Sequence, residues 1–152
     1  MKREDFEKIS TYEGPERSPG FLLWHISTSW RSSIEQSLKV FNLTHPQFVI
    51  LACLGWLTRE GDQVKQSAVG RMACLDPNTT SQIIRGLEKK KLIIRRKSSD
   101  ARVKNPLLTE EGRSVLAKAL PAVEEKDMCF FEVLSNSDMS SLLSIFQKLI
   151  VE

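Results

Sequence analysis

The chain has 152 residues, 41% hydrophobic and 27% charged, the balance of an ordinary globular protein with enough apolar material for its own core. No apolar run nears the ~18 residues of a membrane span, and the charged start Met1-Lys2-Arg3-Glu4-Asp5 leads into no apolar signal core, so a cytoplasmic protein without a membrane partner is expected. The net charge of +3 is unevenly spread: residues 64–104 hold eleven Lys/Arg against three acids, a local +8, which leaves −5 for the rest and points to a polyanionic partner.

Residues 1–18 are charged and broken by Gly14 and Pro15, with Pro19 following, and read as loose. A long helix is predicted from about 20 to 41. Leu23, Ile26, Trp30, Ile34, Leu38 and Phe41 recur at steps of three and four and predict one buried stripe, while Phe21, Trp24, His25 and Thr28 fall on a second face. The next helix opens with a capping box, Thr44 with Gln47, and a hydrophobic staple, Leu43 with Phe48; its inner face is Phe48, Leu51, Ala52, Gly55 and Trp56. A short helix at 66–74 starts weakly, because Lys65 stands where a capping residue belongs and Gly70 costs ~1 kcal/mol against Ala.

The fourth helix starts sharply at Asp76-Pro77. Thr80, Ile83, Ile84 and Leu87 face inward; Asn78, Thr79, Ser81, Gln82 and Arg85 fall on the other side. Leu92 to Arg96 reads as a strand, 97–101 as a polar turn, and Arg102 to Leu108 as a return strand, in which Pro106 demands an edge or a bulge. Thr109 caps a long helix that Pro121 interrupts or kinks. Ser135 or Ser137 starts a last helix with Met139, Leu142, Leu143, Phe146, Leu149 and Ile150 inward. The fold class is mainly α with a small β-hairpin wing: one domain over 1–152, with a winged helix-turn-helix lobe at 43–108 and dimerisation helices at 20–42 and 109–152.

Two short helices joined by a tight turn and followed by a basic hairpin suit double-stranded DNA. A helix fits the major groove, where its first turns reach base edges, so Asn78, Thr79, Ser81, Gln82 and Arg85 are the candidate reading residues; Gln82 matches adenine, and Arg85 matches guanine or a phosphate. Arg95, Arg96, Lys97, Ser98, Asp100, Arg102 and Lys104 form the candidate wing and phosphate contacts. Crowded cations repel unless an anion relieves them, and Asp100 stands two residues from Arg102, close enough to aim it at a narrow, negative minor groove.

The pieces LTHPQF at 43–48, LDPNTTSQIIRGLEKKKLIIRR at 75–96, DAR at 100–102 and LTEEG at 108–112, in this order and spacing, resemble the MarR (multiple antibiotic resistance regulator) family, and with the flanking helices the resemblance covers about residues 20–150. It implies a homodimer held by the terminal helices and reading a palindrome, with the helix at 77–90 in the major groove, Arg102 in the minor groove and Asp100 orienting it. Such a compact dimer acts most simply as a repressor. The sequence departs from the family at Lys91, in place of the usual Gly, at Lys65, in place of the usual cap, and at Pro106 in a wing strand. A left-handed C-cap at Lys91 is therefore expected to be strained or absent.

The resemblance also implies a small aromatic or phenolic effector, for which Trp24, His25, Trp30, Arg31 and Trp56 are the candidate pocket. Three dispersed cysteines, Cys53, Cys74 and Cys129, and two histidines show no metal-ligand spacing, so no metal or cofactor is expected and the thiols read as reduced, buried small hydrophobes. No nucleophile elbow, phosphate loop or zinc motif argues for an enzyme. The competing reading is a winged helix that binds other proteins and leaves DNA alone; it has no need of a +8 lobe.

Overall fold

A computed structural model describes Asp5 and residues 7–97 and 104–150. Two compact units divide the chain, Met1–Ser33 and Ile34–Glu152. The elements in order are α1 (Pro19–Leu38), α2 (His45–Leu57), α3 (Gln66–Met72), α4 (Pro77–Lys89), β1 (Ile93–Lys97), β2 (Lys104–Leu108), α5 (Glu110–Phe131) and α6 (Asn136–Leu149), with 3-10 turns at Pro15–Arg17 and Lys39–Phe41. Among the described residues no single helix is long and apolar enough to cross a membrane.

Local chemistry sets most boundaries. Thr44 and Gln47 form the capping box at the start of α2, and Leu43 and Phe48 are both buried beside it. Asp76, Thr109 and Ser135 cap α4, α5 and α6 through their side-chain oxygens, whereas Lys65 offers α3 no side-chain cap. Asn42, Cys74 and Lys91 all adopt left-handed backbone, at φ 53°, 52° and 60°. Each closes a helical stretch with the same pair of bonds: Leu92 N–H reaches Leu87 O at 3.0 Å while Lys91 N–H reaches Glu88 O at 2.9 Å, and Leu75 and Leu43 repeat the pattern. The C-cap of α4, expected to be either strained or absent, follows the first alternative. The cap is present, and Lys91 bears the left-handed strain.

The lobe core is made by Ile50, Leu51 and Leu54 of α2, Val69 of α3, Ile84 and Leu87 of α4, and Ile93, all essentially without solvent exposure. Gly70 belongs there for a steric reason: a Cβ would stand 2.7 Å from Thr80 Oγ1, so only glycine lets α3 and α4 approach this closely. Gly112 is more constrained still, since its Cβ would lie 2.0 Å from Leu92 O, where the start of α5 crosses the entry to β1. The hairpin pairs Ile93 with Leu108 through Lys97 with Lys104, without a bulge. Pro106 sits opposite Arg95 and is fully buried; in a two-stranded ribbon each strand has an outer edge, which is where a residue without an N–H fits. Helix α5 runs through Pro121 without interruption.

Four expectations about burial are corrected, the first being Trp56, which was placed on the inner face of α2 and is 57% exposed. In α1 only Ile34 and Leu38 of the predicted stripe are buried, while Leu23 is 59% and Ile26 47% exposed. Helix α6 buries none of its residues, and Phe146, Leu149 and Ile150 are exposed. Periodicity reports that a helix has an apolar face, not that its own chain covers it. Of the cysteines only Cys53 is buried; Cys74 and Cys129 are exposed.

Candidate nucleic-acid interface

Helix α4 separates its two faces cleanly. Thr80, Ile84 and Leu87 are buried, whereas Asn78, Gln82 and Arg85 are exposed and Thr79 and Ser81 are partly so. The start of the helix is fixed by Asp76, whose Oδ1 accepts from Asn78 N–H at 2.9 Å and Thr79 N–H at 3.0 Å. Hydrogen bonding from Thr79, and then from Asn78, holds the Asp76 carboxyl below the ordinary carboxylate range. Thr80 Oγ1 donates to Asp76 O at 2.8 Å, which satisfies the hydroxyl inside the core and leaves its neighbours outward. Arg85 donates from Nη2 to Ser81 Oγ at 3.1 Å, so the two predicted reading residues lie one helical turn apart on one face and touch.

The wing divides its cations by use. Arg96 is exposed, while the Arg95 guanidinium turns back to pair with the Glu88 carboxylate. The backbones of Lys97 and Lys104 stand opposite each other at the open end of the ribbon. Ser98, Asp100 and Arg102 lie outside the described residues. Just before the wing, Lys89 is exposed, but the Lys90 ammonium donates to Asn42 O and to Gln47 Oε1, the latter at 2.9 Å. Both partners are more than forty residues away in sequence, so no local signal pointed to them.

A second feature is a groove of about 990 Å³ between α2 and α5, floored by Ala52, Cys53, Leu108 and Leu116 and rimmed by Arg59, Arg113 and Glu124. Trp56, one of the predicted pocket residues, lines it and is 57% exposed. Arg59 was not anticipated: its Cζ stacks 4.0 Å from the Trp56 ring centroid, Nη1 donates to Trp56 O at 2.7 Å, and Nη2 pairs with Glu60 at 3.1 Å. The i, i+3 spacing of Trp56 and Arg59 was the available signal. Trp24, His25, Trp30 and Arg31 belong to α1, in the other unit; Trp24 is 70% exposed, and the ring of His25 lies 6.3 Å from that of Phe21. Among the described residues no group of His, Cys, Asp or Glu has the arrangement of a metal site.

A helix-turn-helix with a β-hairpin wing, a polar outward face on its second helix and a basic surround defines a winged-helix DNA-binding protein. The sequence pattern of the MarR family matches residues 43–104. Over 142 residues, 93% of this chain and 95% of the relative, the chain is 36% identical to the uncharacterized HTH-type transcriptional regulator YdcH of Bacillus subtilis (strain 168). It therefore belongs to the MarR family of DNA-binding transcription regulators. Solved structures share the fold. The Bordetella bronchiseptica regulator BpsR, studied for regulation of its DNA binding by 6-hydroxynicotinic acid, matches at TM-score 0.80 and 21% identity over 92% of this chain and 99% of that one. MepR of S. aureus, solved with DNA, matches at TM-score 0.78 and 23% identity over 90% and 97%.

Proposed function

We propose that the chain is a homodimeric repressor that occupies a palindromic operator and leaves it when a small aromatic acid binds. The observation that carries the DNA-reading part is the split of α4: Asn78, Gln82 and Arg85 point to solvent from a helix whose opposite side is locked by Thr80, Ile84 and Leu87. In this reading Asn78, Thr79, Ser81, Gln82 and Arg85 choose the bases, Arg96, Lys97, Ser98 and Lys104 hold the backbone, and Arg102, aimed by Asp100, enters the minor groove.

The dimer is supported by uncovered apolar residues on both terminal helices: Leu23, Trp24 and Ile26 on α1, and Leu143, Phe146 and Leu149 on α6. Faces this apolar are typical of obligate interfaces. The effector reading is supported by the groove between α2 and α5, apolar below and lined at its mouth by Arg59, Arg113, Asp62 and Glu124, which suits a flat molecule with a polar end; the example of BpsR supplies the class. Trp56 is its aromatic wall.

The test is selection of bound duplexes from random DNA, with and without 6-hydroxynicotinic acid or salicylate, alongside the mass of the protein in solution. The expected result is a palindromic consensus, a dimer mass, and loss of the shifted band with one of the acids. Removal of residues 139–152 should yield monomers or aggregates. A truncated protein that stays a soluble DNA-binding dimer refutes the interface, and a consensus without symmetry refutes the palindrome.

A further inference from the structure

The run Lys89-Lys90-Lys91 looks like one basic patch, yet its three members do three different things. Lys89 is exposed, Lys91 carries the left-handed turn, and Lys90 is spent on the protein itself. We propose that Lys90 is a positioning residue for DNA recognition, a pin that fixes the end of the recognition helix to the junction of α1 and α2, and not a phosphate ligand.

The acceptors it meets are set before it arrives. Asn42 is itself a left-handed cap, with its N–H on Lys39 O at 3.0 Å and the following Leu43 N–H on Leu38 O at 3.3 Å, so its carbonyl is held in a closed turn. Gln47 Oε1 already accepts the Thr44 N–H at 3.3 Å in the capping box of α2. The ammonium joins these two fixed oxygens and stands at the C-cap of α4, where a cation also complements the helix dipole. Gln47 meets the last turns of α4 a second time: a Cβ on Gly86 would lie 3.4 Å from Gln47 Nε2. Charge-assisted bonds to constrained acceptors are the stronger kind, and a phosphate would have to displace them.

The opposite end of the same helix is seated by Thr80 against Gly70, so α4 is fixed at both ends and its outward side chains are presented in one direction. Holding a reading helix still before DNA arrives reduces the entropy lost on binding and favours the site whose bases match. This inference rests on the reading of α4 as the recognition helix.

The experiment uses the full-length protein, the duplex it enriches from a random pool, and a random-sequence duplex. Lys90→Met should weaken binding to the enriched duplex roughly tenfold, leave the random duplex nearly unchanged, and keep the salt slope. Lys89→Met, the phosphate-type comparator, should lower both affinities and reduce the slope by about one. Gln47→Met should copy Lys90→Met. In thermal unfolding without DNA, Lys90→Met and Gln47→Met should each lower Tm by roughly 3 °C, and the double variant by less than the two losses added, because only the bond between them is counted twice.

Gln47→Glu keeps the capping box and turns the contact into an ion pair. It should hold or raise Tm and retain preference for the enriched duplex, although it adds a negative charge near DNA. It decides the matter if Lys90→Met fails to fold. A slope change in Lys90→Met equal to that of Lys89→Met, additive Tm losses, or a lower Tm in Gln47→Glu would each overturn the pin. A wild-type protein that enriches no sequence removes the premise about α4, a failure visible before any variant is made, and the unfolding cycle still decides whether the pin exists.

Discussion

The Arg95 guanidinium is paired with the Glu88 carboxylate, which ties the first strand of the hairpin to the last turn of α4. Their side chains are 18% and 27% exposed, so the pair sits between the exposed and the buried limits of ion-pair energetics. Glu88→Gln should cost roughly 1–2 kcal/mol of stability by that reasoning. It should also release a cation into the DNA surface. Binding to random duplex is expected to tighten and its salt slope to steepen, while the preference for the selected site falls because the wing loses its anchor. Equal tightening on both duplexes, measured at two salt concentrations, would show that Glu88 only dilutes charge.

Gly70 faces Thr80 across the helix-turn-helix, with room for no Cβ. Alanine is the better helix former by ~1 kcal/mol, so propensity alone predicts that Gly70→Ala stabilises. Overpacking predicts the reverse, a net loss of about 1–3 kcal/mol in urea unfolding. Thr80→Ala removes the nearest atoms, and Leu75 O at 3.4 Å then remains as the closest contact. The double variant should therefore lose less than the two singles added together. Stabilisation by Gly70→Ala alone would contradict the packing argument.

Lys91 holds a left-handed φ of 60° at the C-cap of α4. Relief of that strain is worth roughly 1–2 kcal/mol, partly offset by the freedom glycine gains in the unfolded chain. Lys91→Gly should raise Tm by a few degrees, whereas Lys91→Ala, which keeps a Cβ, should not. If the exposed ammonium also touches a phosphate, the same glycine variant lowers the salt slope by about one, so the two readouts separate backbone from charge.

The thiols should separate by environment. Burial pushes the Cys53 thiol up from its ordinary range, and a thiolate on Cys74 would push it further. Burial disfavours the charged form, so Cys53 loses its proton at a higher pH than an exposed thiol does. In the folded protein iodoacetamide should label Cys74 readily at mildly alkaline pH and leave Cys53 unmodified until denaturant is added. Cys74→Ser should make Cys53 slightly easier to ionise. Labelling of Cys53 at the rate of Cys74 in native buffer would mean that the groove floor opens.

The order of elements, three of the helix caps and the +8 lobe were readable from the chain alone, because each depends on residues a few positions apart. Asp76-Pro77 starts a helix wherever it occurs before a stretch like 78–89, and Thr44 with Gln47 closes its box within one turn. The tertiary structure decided what each side chain was for. Lys90 and Arg95 look like their basic neighbours in sequence, but one meets an acceptor 48 residues away and the other folds back across the left-handed turn at Lys91. The apolar stripes of α1 and α6 were likewise visible, while their exposure was not: periodicity fixes which residues share a face, and only the packing of the whole chain determines whether anything in it covers that face.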